Sequence, residues 1–232
     1  MNWLRRFLPQ QLPAGHGDRL RAAFGAFLGI AITGLVSTAW LGPVAGLPLL
    51  IAPMGASAVL LFGVPASTLA QPWSIMGGNL VAALIGVACA HLVTSPLIAA
   101  AAALGLALAA MSLLRCVHPP GGAVALTAVL GGPHVTAFGY EFVLVPVALN
   151  SLLLTLVAIA YNNATGHSYP HRAHGPAHPH PPITRLSVSQ AEIDEVLADY
   201  GDTIDISRDD LEALFQELLG RAQSWQFKAH TE

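Results

Sequence analysis

LRCVHPPGGAVALTAVLGG, residues 114–132, places an arginine, a histidine, paired prolines and paired glycines inside otherwise apolar sequence. Pro119 and Pro120 interrupt the backbone hydrogen-bond ladder, so the stretch is not ordinary lipid-facing helix. The ionisable Arg115 and His118 must face protein or a water-filled cavity at membrane depth. A solute pathway has this signature.

The surrounding composition says membrane. The 232 residues are 54% hydrophobic and 10% charged, and the mean hydropathy is +0.59. Between Ala22 and His171 there is one basic residue, Arg115, and one acidic residue, Glu141. The arm before Ala22 carries +3, the tail from Arg172 carries −6, and the core cancels, giving the net −3. The arginines of the arm place the N-terminus in the cytoplasm, and no signal-type apolar run precedes the first span. Cys89 and Cys116 lie in apolar sequence and read as buried free thiols.

A spanning helix needs about 20 apolar residues. Segments 24–41, 73–93, 97–114 and 142–161 are long enough. Segments 47–64 and 117–130 are apolar but broken near the start by Pro53 and by Pro119 and Pro120, so each reads as an extended lead-in followed by a half-helix. The two short segments resemble each other. Pro53, Gly55, Ala56 and Ala58 recur 67 residues later as Pro120, Gly122, Ala123 and Ala125, and Asn79 and His91 recur 71 residues later as Asn150 and Asn162. The expected fold is therefore all-α and polytopic: four long helices, two broken half-helices and an internal, inverted repeat. Small residues at fourfold spacing, Gly25 to Ser37 and Gly78 to Ala90, point to close helix packing within the chain or in a homo-oligomer.

Four regions follow: a cytoplasmic arm, 1–21; a transmembrane domain, 22–165; a linker rich in proline and histidine, 166–182; and an acidic cytoplasmic helical hairpin, 183–232. The linker histidines are read as part of a stiff spacer rather than a metal site. In the hairpin, Ser189 and Glu192 form one capping box, while Ser207 and Asp210 begin a second helix.

Helix N-termini present free amides and a positive dipole end to an anion. Gly121 and Gly122 mark one such end, and Gly55, Ala56 and Ser57 the other. His118 stands beside the first, able to donate to an anion or carry a proton. Arg115 would add fixed positive charge, and Asn79 and Asn150 would supply neutral amides. No nucleophile has a paired base, no phosphate loop is present, and the membrane region holds no metal-ligand set. An enzyme, a cofactor and a nucleic-acid partner are not expected.

The same residues carry a resemblance. Residues 114–132, with APMGASAVLLFG at 52–63, QPWSIMGGNL at 71–80, and VALNSLLL followed by YNN within 147–163, are similar to the HPP family of integral membrane proteins, named for the triplet found here as His118, Pro119 and Pro120. The resemblance covers roughly residues 21–169 and implies four transmembrane helices. Some plastid and cyanobacterial members are associated with nitrite transport. Longer bacterial relatives carry paired CBS modules, and this tail resembles only the helical lead-in to one, so nucleotide sensing is not implied.

The expected function is transport of a small, nitrite-like monovalent anion across the bacterial inner membrane, with both termini cytoplasmic. Alternatives are another small solute, a channel, or a sensor signalling through the acidic hairpin. Two chain paths compete. If both half-helices complete a crossing, Ser67 and Arg115 share the cytoplasmic side and Thr136 is outside; if both are re-entrant, Ser67 and Thr136 are outside together.

Overall fold

The computed structural model describes residues 15–42, 49–172, 195 and 205–229. The arm up to residue 14, most of the Pro/His-rich linker and the first helix expected in the hairpin lie outside them. The elements are α1 (His16–Leu41), α2 (Pro53–Gly63), a 3-10 turn (Thr68–Ala70), α3 (Pro72–Leu92), α4 (Pro96–Leu113), α5 (Pro119–Leu130), α6 (Pro133–Phe138), a π-helical stretch (Val143–Ala148), α7 (Leu149–Ala164) and α8 (Arg208–Ala229). No strand occurs among the described residues. Among the described residues, four stretches are long and apolar enough to span a bilayer: His16–Trp40, Pro72–Leu92, Pro96–Leu113 and Val143–Ala164. This is a multi-pass helical membrane protein. Its outer surface carries the apolar side chains lipid requires, such as Phe27, Trp40, Leu97 and Leu113.

Proline explains where the helices start. Pro53, Pro72, Pro96, Pro119 and Pro133 each open a helix, where the missing N–H removes a donor that would otherwise lack a partner. Two segments depart from the expected form. The first helix begins two turns before residue 24, bringing Arg21 into the bundle: its guanidinium donates to the Asn162 side chain at 2.9 Å and to the Phe62 carbonyl at 3.1 Å, at the C-terminal end of α2. The last long segment is interrupted, because Pro146 has no N–H and Val145 is extended (φ −133°, ψ 116°).

Hydrogen bonds fix the direction of the chain. One end of the bundle gathers the start of α1, the end of α2, the 3-10 turn and the end of α7: Tyr161 donates to the Arg21 carbonyl at 2.8 Å, Asn162 to the Leu61 carbonyl at 3.0 Å, and Ser67 to Asp205 at 2.7 Å. Trp73 adds the end of α4 by donating to the Leu114 carbonyl at 3.1 Å. We call this the tail end. At the other end, His91 of α3 stacks on Tyr140 beyond α6, with centroids 6.1 Å apart. The turn at Ser67 and the segment holding Thr136 therefore lie at opposite ends, with Arg115 on the Ser67 side. Ala66→Cys and Ala137→Cys, each without Cys89 and Cys116, should label with an impermeant thiol reagent from opposite faces of the membrane. Labelling of both in intact cells would contradict this path.

The small-residue stripes face neighbours within the chain. A Cβ at Gly25 or Gly29 would stand 2.6 Å from the Phe62 ring, and one at Gly86 would stand 2.7 Å from the Ala125 carbonyl. With Gly78 set against His118 and Gly86 against Ala125 and Ala128, α3 and α5 run parallel at backbone contact.

Candidate functional site

His118 is fully buried and precedes the first residue of α5. Its Nδ1 lies 2.8 Å from the Leu69 carbonyl in the 3-10 turn. A carbonyl only accepts, so Nδ1 carries the proton and donates. Nε2 lies 2.8 Å from the buried Ser57 hydroxyl of α2 and, in the neutral ring, accepts from it. Ser57 is also 3.4 Å from the Pro53 carbonyl of its own helix. A proton gained at Nε2 would reverse the bond, the ring donating to Ser57 and the hydroxyl turning to Pro53. The second turn of α2 and the start of α5 thus meet at a hydrogen-bonded pair with two proton arrangements. The positive dipole end of α5 lies there.

The expectation of free amides at these ends does not hold. Pro53, Pro119 and Pro120 have no N–H, and tight turns use the next donors: Gly121 bonds the His118 carbonyl at 2.8 Å, while Met54 and Gly55 bond the carbonyls of Ile51 and Ala52, both at 3.0 Å. Gly55 and Ala56 are exposed on α2, whereas Gly121 and Gly122 are buried. A Cβ at Gly121 would stand 3.1 Å from the Gly78 carbonyl, and one at Gly122 2.9 Å from Leu104, so this pair seats α5 on α3 and α4. Arg115 is exposed and is not brought to His118. It closes α4 with φ 53°, and the next amide, Cys116, reaches back to the Met111 carbonyl at 2.9 Å.

The two asparagines behave differently. Asn150 is fully engaged: its oxygen accepts from Ile51 N at 3.2 Å, and its amide donates to the Leu49 carbonyl at 2.8 Å and Ser37 at 3.2 Å. It pins the lead-in to α2. Asn79, equally buried, bonds only Ser151, at 3.0 Å, and its side-chain oxygen has no partner. Asn79 lies next to Gly78, whose Cβ would touch His118.

Residues 12–170 match the HPP transmembrane region family. This chain belongs to the HPP family. It is 39% identical over 126 residues to a transmembrane protein of Dictyostelium discoideum, a match covering 52% of this chain and 40% of that protein. A second Dictyostelium discoideum transmembrane protein is 37% identical over 131 residues, covering 54% of this chain and 46% of the relative. The matched part is thus less than half the length of either relative. No solved structure matches.

In this HPP protein the triplet supplies a buried imidazole followed by two residues without amide hydrogens. Sequence reasoning missed the ring's partner at Leu69, because a backbone carbonyl leaves no residue signature. It also missed Ser151, although its place beside Asn150 and its 72-residue separation from Asn79 were available signals. Leucine at Asn150 would strand a buried amide and carbonyl and is expected to lower stability by about 2 kcal/mol. At Asn79 it removes one bond and one unpaired oxygen, so the loss should stay below about 1 kcal/mol. Unfolding in mixed micelles checks the pair; equal losses would contradict the assignment.

Proposed function

We propose that this HPP-family protein is not an enzyme but moves a small polar solute across the membrane, with a monovalent anion of nitrite size as the first candidate. The observation that carries the reading is the buried His118, bonded through both ring nitrogens where the start of α5 meets the second turn of α2. An anion gains from the α5 dipole there, and from Nε2–H once the ring is protonated. Ser57 and Nε2 hold each other in this closed arrangement and are the groups a solute would separate. Asn79, with an unfilled side-chain position, is a third contact.

The tail end is assigned to the cytoplasm, in a bacterial inner membrane, because Arg19, Arg21 and Arg115 gather there and positive charge is retained inside. Arg115 and Asn150 now have structural duties, so the solute contacts proposed are Ser57, Asn79 and His118. The deciding experiment is a flux panel in proteoliposomes of nitrite, nitrate, formate, chloride and glycerol, with permeation of the undissociated acids subtracted. Protein-dependent nitrite flux above that of glycerol is expected, and its absence for every anion would refute the reading.

A further inference from the structure

The carboxylate of Asp205, in the segment leading to α8, braces the turn that holds His118, and the cap of that turn is Ser67, whose hydroxyl accepts from the Leu69 amide at 3.1 Å. The Asp205 oxygens accept from the Ser67 hydroxyl at 2.7 Å, the Thr68 hydroxyl at 2.7 Å and the Thr68 amide at 3.1 Å. The next residue of that turn, Leu69, offers its carbonyl to His118 Nδ1. A second strand of contacts braces the turn: Tyr169 donates to the Ala70 carbonyl at 2.6 Å, and the His171 amide donates to the Gln71 side chain at 2.9 Å. His171 in turn meets Asp210 of α8 at 2.9 Å.

We infer that Asp205 is a latch: the C-terminal segment, by bracing the 3-10 turn Thr68–Ala70, keeps the Leu69 carbonyl on His118 and holds the Ser57–His118 junction closed, and its release opens that junction toward the tail end. The inference rests on the transport reading only for its consequence, since closure itself is a matter of geometry. Three observations support it. The attachment is polar, and a cleft of about 320 Å³ lies there, lined by Thr68 and Gln71 on one side of the attachment and by Ser207 and Asp209 on the other. Among the described residues, α8 shares no extensive packing with any helix of the bundle. Burial pushes the Asp205 carboxyl up, but bonds from the Thr68 and Ser67 hydroxyls and from the Thr68 and Leu69 amides outweigh it and hold it below the usual carboxylate range. The latch is therefore charged and engaged at neutral pH, and its grip is lost only as pH falls through that depressed value.

Cys116 reports opening without any solute. It is fully buried beside Gly77, two residues before His118. The full-length protein carrying Cys89→Ala is reconstituted and exposed to a charged methanethiosulfonate reagent. Asp205→Ala should raise the Cys116 labelling rate about tenfold, the isosteric Asp205→Asn should raise it less, and Asp205→Ala with Asp210→Ala should raise it most, since charge-assisted bonds are roughly twice as strong as neutral ones. An unchanged rate in both the single and the double alanine variants would overturn the latch. Faster labelling with no flux of any anion would leave the latch standing and refute transport.

Discussion

Gly78→Leu is expected to abolish assembly of a native bundle. A Cβ at this position would stand 2.7 Å from the Cys116 carbonyl, 2.7 Å from the His118 Cβ and 3.3 Å from Met111 Sδ, and the first of these is backbone that no rotamer change can move. Overpacking of a close-packed interior costs about 1–3 kcal/mol and more where backbone must shift, so a loss of at least about 3 kcal/mol is expected. The α3–α5 pair is the most extensive helix contact in the bundle, and separating its members also displaces the lead-in that positions His118. Gly55→Leu is the control, because nothing lies within 4 Å of a Cβ there. Thermal unfolding and size-exclusion profiles in detergent should show Gly78→Leu aggregated or strongly destabilised and Gly55→Leu close to wild type. Equal behaviour of the two would contradict the packing described here.

The second large effect falls on function. His118→Ala removes the donor to Leu69 and the partner of Ser57, and flux should fall about 10- to 100-fold, the range for losing a hydrogen bond to a charged group. His118→Gln separates charge from shape: glutamine can still donate to Leu69 but cannot take up a proton. The groups placed against His118 are Ser57 and the Leu69 carbonyl at the ring and Gly78 at its Cβ, none of which changes charge. A protonated ring attracts an anion and a neutral one does not, so wild-type uptake should rise as pH falls, and the profile should flatten in His118→Gln. A glutamine variant with the wild-type pH profile would place the proton elsewhere.

The layout of this fold was legible because its punctuation is proline. Pro53, Pro72, Pro96 and Pro119 appear in the sequence where the helices start, and the unbroken apolar runs between them give the spans. Pro146 was equally visible, but the apolar residues on both sides concealed the break that it makes. The site was less legible for a different reason. A glycine pair at a helix start reads as an opening to the backbone, yet Gly121 and Gly122 serve contact with Gly78 and Leu104, a distinction set by neighbours distant in sequence. Arg115 was conspicuous as the lone cation of the core and closes α4 instead, whereas Arg21, expected in the arm, ties three helices together. His118 and Ser57 were both named from sequence, but the bond between them depends on the start of α5 lying level with the second turn of α2.

The most direct test of a solute path at that junction is the initial rate of nitrite uptake into proteoliposomes by Asn79→Leu. Asn79 bonds only Ser151, carries an unpaired buried oxygen and follows Gly78, which packs against His118, so its loss separates solute binding from folding. Uptake should fall about tenfold or more with unfolding behaviour close to wild type. Wild-type uptake by a correctly folded Asn79→Leu protein would contradict a solute path at the His118 junction.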